Sequence, residues 1–179
     1  MRYLSFLLLG VVLLSFSCKN NNNDDDDDIQ PSETKFIVIN EGAFGGGNAS
    51  LSYYDDEDGS VLNNVFHSKN GRVLGDVAQS AITSNDKLFV SLNASNKIEV
   101  ANRGDVSELG VIKPISLPRY FAVKDQRVFV SSWGNNGQVY SIDATSYQVI
   151  DSVSVGAGPE QMQIVGNQLF VANSGGYAS

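Results

Sequence analysis

Cysteine occurs once, at Cys18, and histidine once, at His67. One cysteine excludes an internal disulfide and a cysteine-rich metal site, and one histidine excludes a histidine metal cluster within this sequence. Proline is scarce, at four residues, and the 12 basic residues are outnumbered by 20 acidic ones, giving a net charge of −8. No basic patch is available to neutralise phosphates, which argues against a nucleic-acid partner. No serine or cysteine nucleophile stands beside a base motif. The glycine-rich "GAFGGG" from Gly42 lacks the spacing of a dinucleotide fingerprint, and "DDEDG" from Asp55 lacks the alternating ligands of a calcium loop. A hairpin turn is the expectation for the latter. The sequence therefore predicts no enzyme, no cofactor and no metal site. Beyond the N-terminal segment it also lacks any sustained 3.6-residue apolar pattern, so helices are not expected.

What it does have is repetition. "KLFVSLNAS" from Lys87, "RVFVSSWGNNG" from Arg127 and "QLFVANSGG" from Gln168 are one phrase written three times. Phe89, Phe129 and Phe170 stand 40 and 41 residues apart. Ala78, Pro118 and Pro159 each precede their phenylalanine by eleven residues, and Asp86, Gln126 and Asn167 by three. "KIEVAN" from Lys97 matches "QVYSID" from Gln138 at the same step. A fixed period near forty marks a solenoid or a propeller.

Each unit reads as four short strands. "QMQIV" is the first, Gly166–Asn167 a hairpin turn, "QLFVAN" the second. "QVYSID" is a third, Ala144–Thr145 lies in a turn, and "YQVIDSVSV" is the fourth. Four antiparallel strands per forty residues predict an all-β fold, a β-propeller of four-stranded blades. A β-solenoid needs fewer residues per turn, and a β-sandwich would not keep the period. The first copy, "KFIVINEGAFGGGNASLSYYDDEDGSVLNNVF", is stretched and holds strands two, three and four, with "FIVIN" at the place of "LFVAN". Lys35 to Ser179 is 145 residues, about three and a half units of 41. The expectation is thus a partial propeller over 35–179, the N-terminal blades of a longer protein.

Ahead of it, "MRYLSFLLLGVVLLSFSC" (1–18) has Arg2, then an apolar run from Leu4 to Leu14 that is too short to span a bilayer. It resembles a bacterial lipoprotein signal in which Cys18 becomes the lipidated first residue, the alternative being an ordinary cleaved signal. Residues 19–34 are polar and low in complexity, and cannot form a core. Five of the chain's negative charges fall in Asp24–Asp28. This segment reads as a solvated tether reaching about 20–25 Å as flexible coil. An acidic run just after the lipid cysteine also resembles the surface-export signal of Bacteroides-group lipoproteins. The two readings are compatible.

The "LFV" core with a preceding "GAGP", best seen in "VGAGPEQMQIVGNQLFVANSGG", resembles the YVTN-type β-propeller repeats of bacterial surface proteins. The opening "VINEGAFGGGNASLSYYD" with "NGRVLGDVAQS" is similar to the cobalamin-capturing (BtuG-like) surface lipoproteins of gut Bacteroides relatives. That resemblance implies a seven-bladed propeller, lipid-anchored at the outer membrane and facing the cell exterior. It implies corrinoid as ligand and a TonB-dependent outer-membrane transporter as partner. The alternative is a surface propeller that binds glycans or a protein partner without catalysis.

In a propeller the loops before strand one and those between strands two and three open on one face, where sites usually lie. Here the first set is 75–79, 117–119 and 156–160, and the second is 41–48, 93–96, 133–137 and 174 onward. Stepping by the repeat gives two rings of candidate ligand-binding residues. One is Gln79, Arg119 and Glu160. The other is Glu41, Asn93, Trp133 and Ser174. Equivalent positions that differ this much are not maintaining a shared core. Amides and hydroxyls donate and accept, and Trp133 offers a flat apolar face. The competing readings are a wedge between blades for Trp133, and a structural ion pair or solvated charges for Arg119 and Glu160.

Overall fold

A computed structural model describes residues 35–176. The lipoprotein signal, Cys18 and the acidic tether lie outside these residues. Strand β1 (Lys35–Asn40), β2 (Ser50–Asp55) and the two-residue β3 (Val61–Leu62) form one antiparallel sheet. A second sheet takes β4 (Ala78–Ser84), β5 (Lys87–Leu92), β6 (Lys97–Asn102) and β7 (Glu108–Ile112) in chain order. The third repeats it with β8 (Pro118–Lys124), β9 (Arg127–Ser132), β10 (Gln138–Asp143) and β11 (Val149–Ser154). Then β12 (Pro159–Val165) pairs with β13 (Gln168–Asn173). The forty-residue period is thus one up-and-down sheet per copy. The first copy holds strands two, three and four, as its sequence predicts.

The hairpins between strands one and two turn at Asn85, Asp125 and Gly166, all at positive φ (+55°, +54°, +59°). Asn, Asp and Gly are the residues that tolerate the left-handed region, which explains their recurrence at this spot.

The sheets stack face to face, so a central strand is buried on both sides. In β5, Leu88, Val90 and Leu92 join Leu51, Tyr53, Phe66 and Leu74 in the core between the first and second sheets. The alternate Phe89 joins Ile98, Val100, Phe121, Val128, Val130 and Ile142 between the second and third. Alternation across a strand produces this division directly, and each such large apolar side chain contributes about 1.5–3 kcal/mol on burial. Tyr147 closes the second core edge-on to Phe89, with centroids 6.2 Å apart. The outermost β11 is exposed throughout.

Two expectations need correction. A short helix, α1 (Val65–Asn70), stands where "VLNNVF" predicts the tail of a fourth strand. Its first two residues, Val65 and Phe66, are buried in the core and His67 faces solvent. Asn70 fastens it: Nδ2 donates to the carbonyls of Phe66 and Val106 at 2.9 Å, and Oδ1 accepts from Glu108 N–H at 2.8 Å. With only two apolar residues to bury, the helix leaves no stripe for a 3.6-residue periodicity to reveal. Second, the first strands begin earlier than read, at Ala78, Pro118 and Pro159. Gln79, Arg119 and Glu160 therefore sit inside strands, not in loops.

Between α1 and β4, Arg72 ties the first two sheets. It pairs with Glu99 and, at 2.8 Å, with Glu108. Glu99 is fully buried and also accepts from Lys97 Nζ at 2.9 Å. The guanidinium lies 4.9 Å over the Phe66 ring.

Candidate functional site

Residues just before β4, β8 and β12 share an unusual backbone: Val77, Leu117 and Gly158 have φ of +54°, +44° and +72°. A β-branched valine and a leucine in this region are outliers, and such strain tends to collect at functional positions. The carbonyls of Val77, Leu117 and Gly158 accept the N–H groups of Asn93, Trp133 and Ser174, at 2.8, 3.1 and 2.8 Å. Three members of the second ring are thereby held against the starts of the first strands by one repeated bond.

One residue further on, the register of each first strand slips: between Ala78 and Ser80, Pro118 and Phe121, and Pro159 and Met162. A bulge re-aims side chains out of the pleat. Gln79, Arg119 and Glu160 lie in these slips. Sequence reading missed their fastening, which is serine. Ser91 Oγ takes the N–H of Ser80 (3.1 Å) and lies 2.7 Å from the carbonyl of Arg119 in the next sheet. Ser131 Oγ takes the N–H of Tyr120 (3.0 Å) and donates to the carbonyl of Glu160 (2.8 Å). The signal was present as the serine two residues after Phe89 and Phe129.

The first ring is brought together. Arg119 donates from Nε to Glu160 Oε2 and from Nη2 to Oε1, each at 3.1 Å, a bidentate pair with both side chains 17% exposed. Its Nη1 donates to Gln79 Oε1 at 2.6 Å, and Gln79 Nε2 donates to the Tyr120 hydroxyl at 3.1 Å. One side chain from each of three successive sheets thus forms a continuous polar chain. The guanidinium also lies 4.3 Å from the Trp133 ring centroid and 5.6 Å from that of Tyr120. Trp133, half-buried at the start of a 3₁₀ turn over Gly134–Asn136, is the point where the two rings meet. The turn closes at Gly137, where a Cβ would stand 1.8 Å from the carbonyl oxygen of Gly156, so only glycine fits.

The rest of the second ring is looser. Asn93 Nδ2 donates to the Pro118 carbonyl at 3.2 Å. Ser174 Oγ donates to the Gly158 carbonyl at 3.0 Å and lies exposed. Glu41 is exposed, and it is its main-chain carbonyl that bonds Ala78 N–H, at 3.1 Å. The "DDEDG" segment is a hairpin turn, closed by Gly59 N–H on the Asp55 carbonyl at 3.0 Å. Among the described residues, no group of three or more His, Cys, Asp or Glu is placed to hold a metal ion.

The ring lies at the end of the sheets where β4, β8 and β12 begin. A cavity of about 360 Å³ lies at the other end of the strands, lined by Lys124, Asp125, Gln126, Phe129 and Ile150 among others. Phe129 is the repeat counterpart of Phe89, which Tyr147 covers. The cavity therefore occupies an inter-sheet packing position and carries no ring residue.

Solved structures share this architecture. The computationally designed protein Ika8 aligns with a TM-score of 0.62 at 11% identity, over 81% of this chain and 42% of its own. BamB from Moraxella catarrhalis aligns with a TM-score of 0.53 at 13% identity, over 82% and 40%. The WD40 β-propeller domain of Doa1 aligns with a TM-score of 0.51 at 13% identity, over 74% and 41%. At these identities the likeness shows the fold, which is an all-β propeller of four-stranded sheets. The chain spans about two fifths of the length of these structures. No curated protein sequence matches it. One family model covers residues 34–178, and the chain belongs to that family, described as a domain of unknown function (DUF5074).

Proposed function

We propose that this chain is a surface-exposed lipoprotein whose propeller face binds a corrinoid, with cobalamin as the reference ligand, and passes it to a TonB-dependent outer-membrane transporter. The observation that carries the binding half is the Gln79–Arg119–Glu160 chain, stacked through Arg119 on Trp133. The connecting serines Ser91 and Ser131 share one type, with Ala172 at the third such position, whereas Gln79, Arg119 and Glu160 are three different side chains. Still they join across sheets.

Arg119 and Glu160 neutralise each other, so the face suits a neutral ligand better than an anion. Gln79 and Asn93 supply amides, Ser174 a hydroxyl and Trp133 a flat apolar surface. A corrinoid, a broad ring fringed by amide arms, has the matching chemistry. The mechanism is affinity without catalysis. A face already fixed by hydrogen bonds avoids much of the ordering cost of association. The anchor at Cys18 and the exterior location rest on the sequence resemblance, as does the transporter, and the tether 19–34 rests on its polar, low-complexity composition.

The test is a cobalamin titration of the purified protein by surface plasmon resonance. Tight saturable binding that Arg119→Ala weakens supports the reading. No binding at micromolar cobalamin removes the corrinoid, and glycans and protein partners become the ligands to try.

A further inference from the structure

The loop between β1 and β2 runs over nine residues, 41–49, whereas its counterparts take four (93–96) and five (133–137). The extra length builds no core. It projects Phe44, which is 85% exposed, against 36% for Leu117 and 57% and 54% for Phe36 and Phe170 on open sheet faces.

An exposed aromatic on a slack loop would mean little. This loop is not slack. Gly46 N–H donates to the Ala43 carbonyl and Ala43 N–H to Asn48 Oδ1, both at 2.8 Å. Gly45 N–H donates to Asp76 Oδ2 at 2.9 Å, and Ala49 N–H to the Gly75 carbonyl at 3.1 Å. At Gly42 (φ +80°) a Cβ would stand 2.7 Å from Ala49 N, so the tight turn needs glycine. Phe44 is thus flanked on both sides by bonded backbone. The anchoring residues Gly75, Asp76 and Ala78 are those that lead into Gln79. The loop is fixed to the segment that starts the Gln79–Arg119–Glu160 chain, and it belongs to the same loop class as the one carrying Trp133.

Resting on the ligand reading above, we infer that Phe44 is a specificity-determining contact that covers the apolar flank of a broad, neutral ring ligand seated on the Gln79–Arg119–Trp133 face. Its position in the lengthened loop gives the face an aromatic from the first sheet, besides Trp133 and Tyr120 from the third.

The experiment compares cyanocobalamin binding and thermal midpoint for the unaltered protein, Phe44→Ala, Phe44→Trp and Asp76→Ala. Phe44→Ala is expected to weaken binding about tenfold or more, as truncating an aromatic anchor does. Its midpoint should stay within about 1–2 °C, since the side chain packs against little. Phe44→Trp, which keeps a flat apolar face, should bind within about threefold of the unaltered protein. Asp76→Ala releases the loop tip and should give an intermediate loss. Unchanged binding by Phe44→Ala overturns the contact and leaves the corrinoid reading standing. A midpoint that falls with the binding assigns Phe44 to packing and also overturns it. An unaltered protein that fails to bind cyanocobalamin overturns the corrinoid reading, and this inference falls with it.

Discussion

The guanidinium of Arg119 lies 4.3 Å over Trp133 while it grips Glu160 through two nitrogens. Trp133 is therefore both a packing surface and a candidate platform. Trp133→Ala should remove the stacking and the apolar face together. We expect weaker cobalamin binding and a stability loss of about 1–2 kcal/mol, the stacking of a partly desolvated cation and the lost burial each contributing. Trp133→Phe should recover most of the stability. Thermal melts beside binding isotherms separate the two roles.

Arg119 and Glu160 are 17% exposed and doubly bonded, unlike a mobile surface pair. A double-mutant cycle with Arg119→Gln and Glu160→Gln should give a coupling energy of about 1–3 kcal/mol, above the usual value for exposed pairs. Coupling below about 0.5 kcal/mol would mean that solvent screens the pair.

Ser91 and Ser131 are the connectors beneath the ring. Ser91→Ala should cost about 1–3 kcal/mol because it strips the hydroxyl acceptor from Ser80 N–H, while the Arg119 carbonyl keeps Ser80 Oγ at 2.5 Å. Ser131→Ala should cost a similar amount through Tyr120 N–H and the Glu160 carbonyl. Urea unfolding reads both. A cost near zero would mean that water replaces the hydroxyl.

The repeat made most of this legible. Stepping forty residues from Phe89 finds the strands and the hairpin turns to within a few residues, since every copy must present the same alternation to its neighbours. The same step could not show that Gln79, Arg119 and Glu160 lie in bulges. A bulge is a property of strand pairing, and its markers, Ser91 and Ser131, read as ordinary strand residues. The helix at Val65 was hidden because it occurs in one copy and buries two side chains. Arg72 with Glu99 is hidden for a related reason: the pair has no repeat counterpart, since Tyr140 stands one period on from Glu99, and there the period reveals nothing.

That pair carries its own prediction. Glu99 has no exposed surface and relies on Arg72 and Lys97. Hydrogen bonding to Glu99 raises the Arg72 pKa, so the guanidinium stays charged wherever the protein is folded. Arg72→Ala should cost about 2–4 kcal/mol, below the full cost of orphaning a buried carboxylate because Lys97 remains. Arg72→Ala with Glu99→Gln should be more stable than Arg72→Ala alone, since the uncompensated charge is gone. A double variant that is no better would place the loss in the packing of Arg72 on Phe66.

Tyr53 gives a pH signature. Its hydroxyl donates to the Gly104 carbonyl at 2.9 Å, joining the first sheet to the turn after β6. Burial, helped by the Asp105 carboxylate, pushes its pKa up from 10.0 to about 12. Below pH 10 the phenol is protonated in both the folded and the unfolded chain, and its contribution is complete. Between pH 10 and 12 the unfolded chain loses this proton while the folded one keeps it, so stability falls as pH rises. Two pKa units correspond to at most about 2–3 kcal/mol. Tyr147, whose pKa burial also raises, adds a change of the same sign. Denaturant midpoints of the unaltered protein should therefore drop between pH 10 and 12, and Tyr53→Phe should show a visibly shallower drop over the same window. Its midpoint at pH 8 should be lower by the value of one hydrogen bond, about 1 kcal/mol. If both proteins fell in parallel from pH 10 to 12, the alkaline loss would belong to other groups and Tyr53 would be titrating as an exposed phenol.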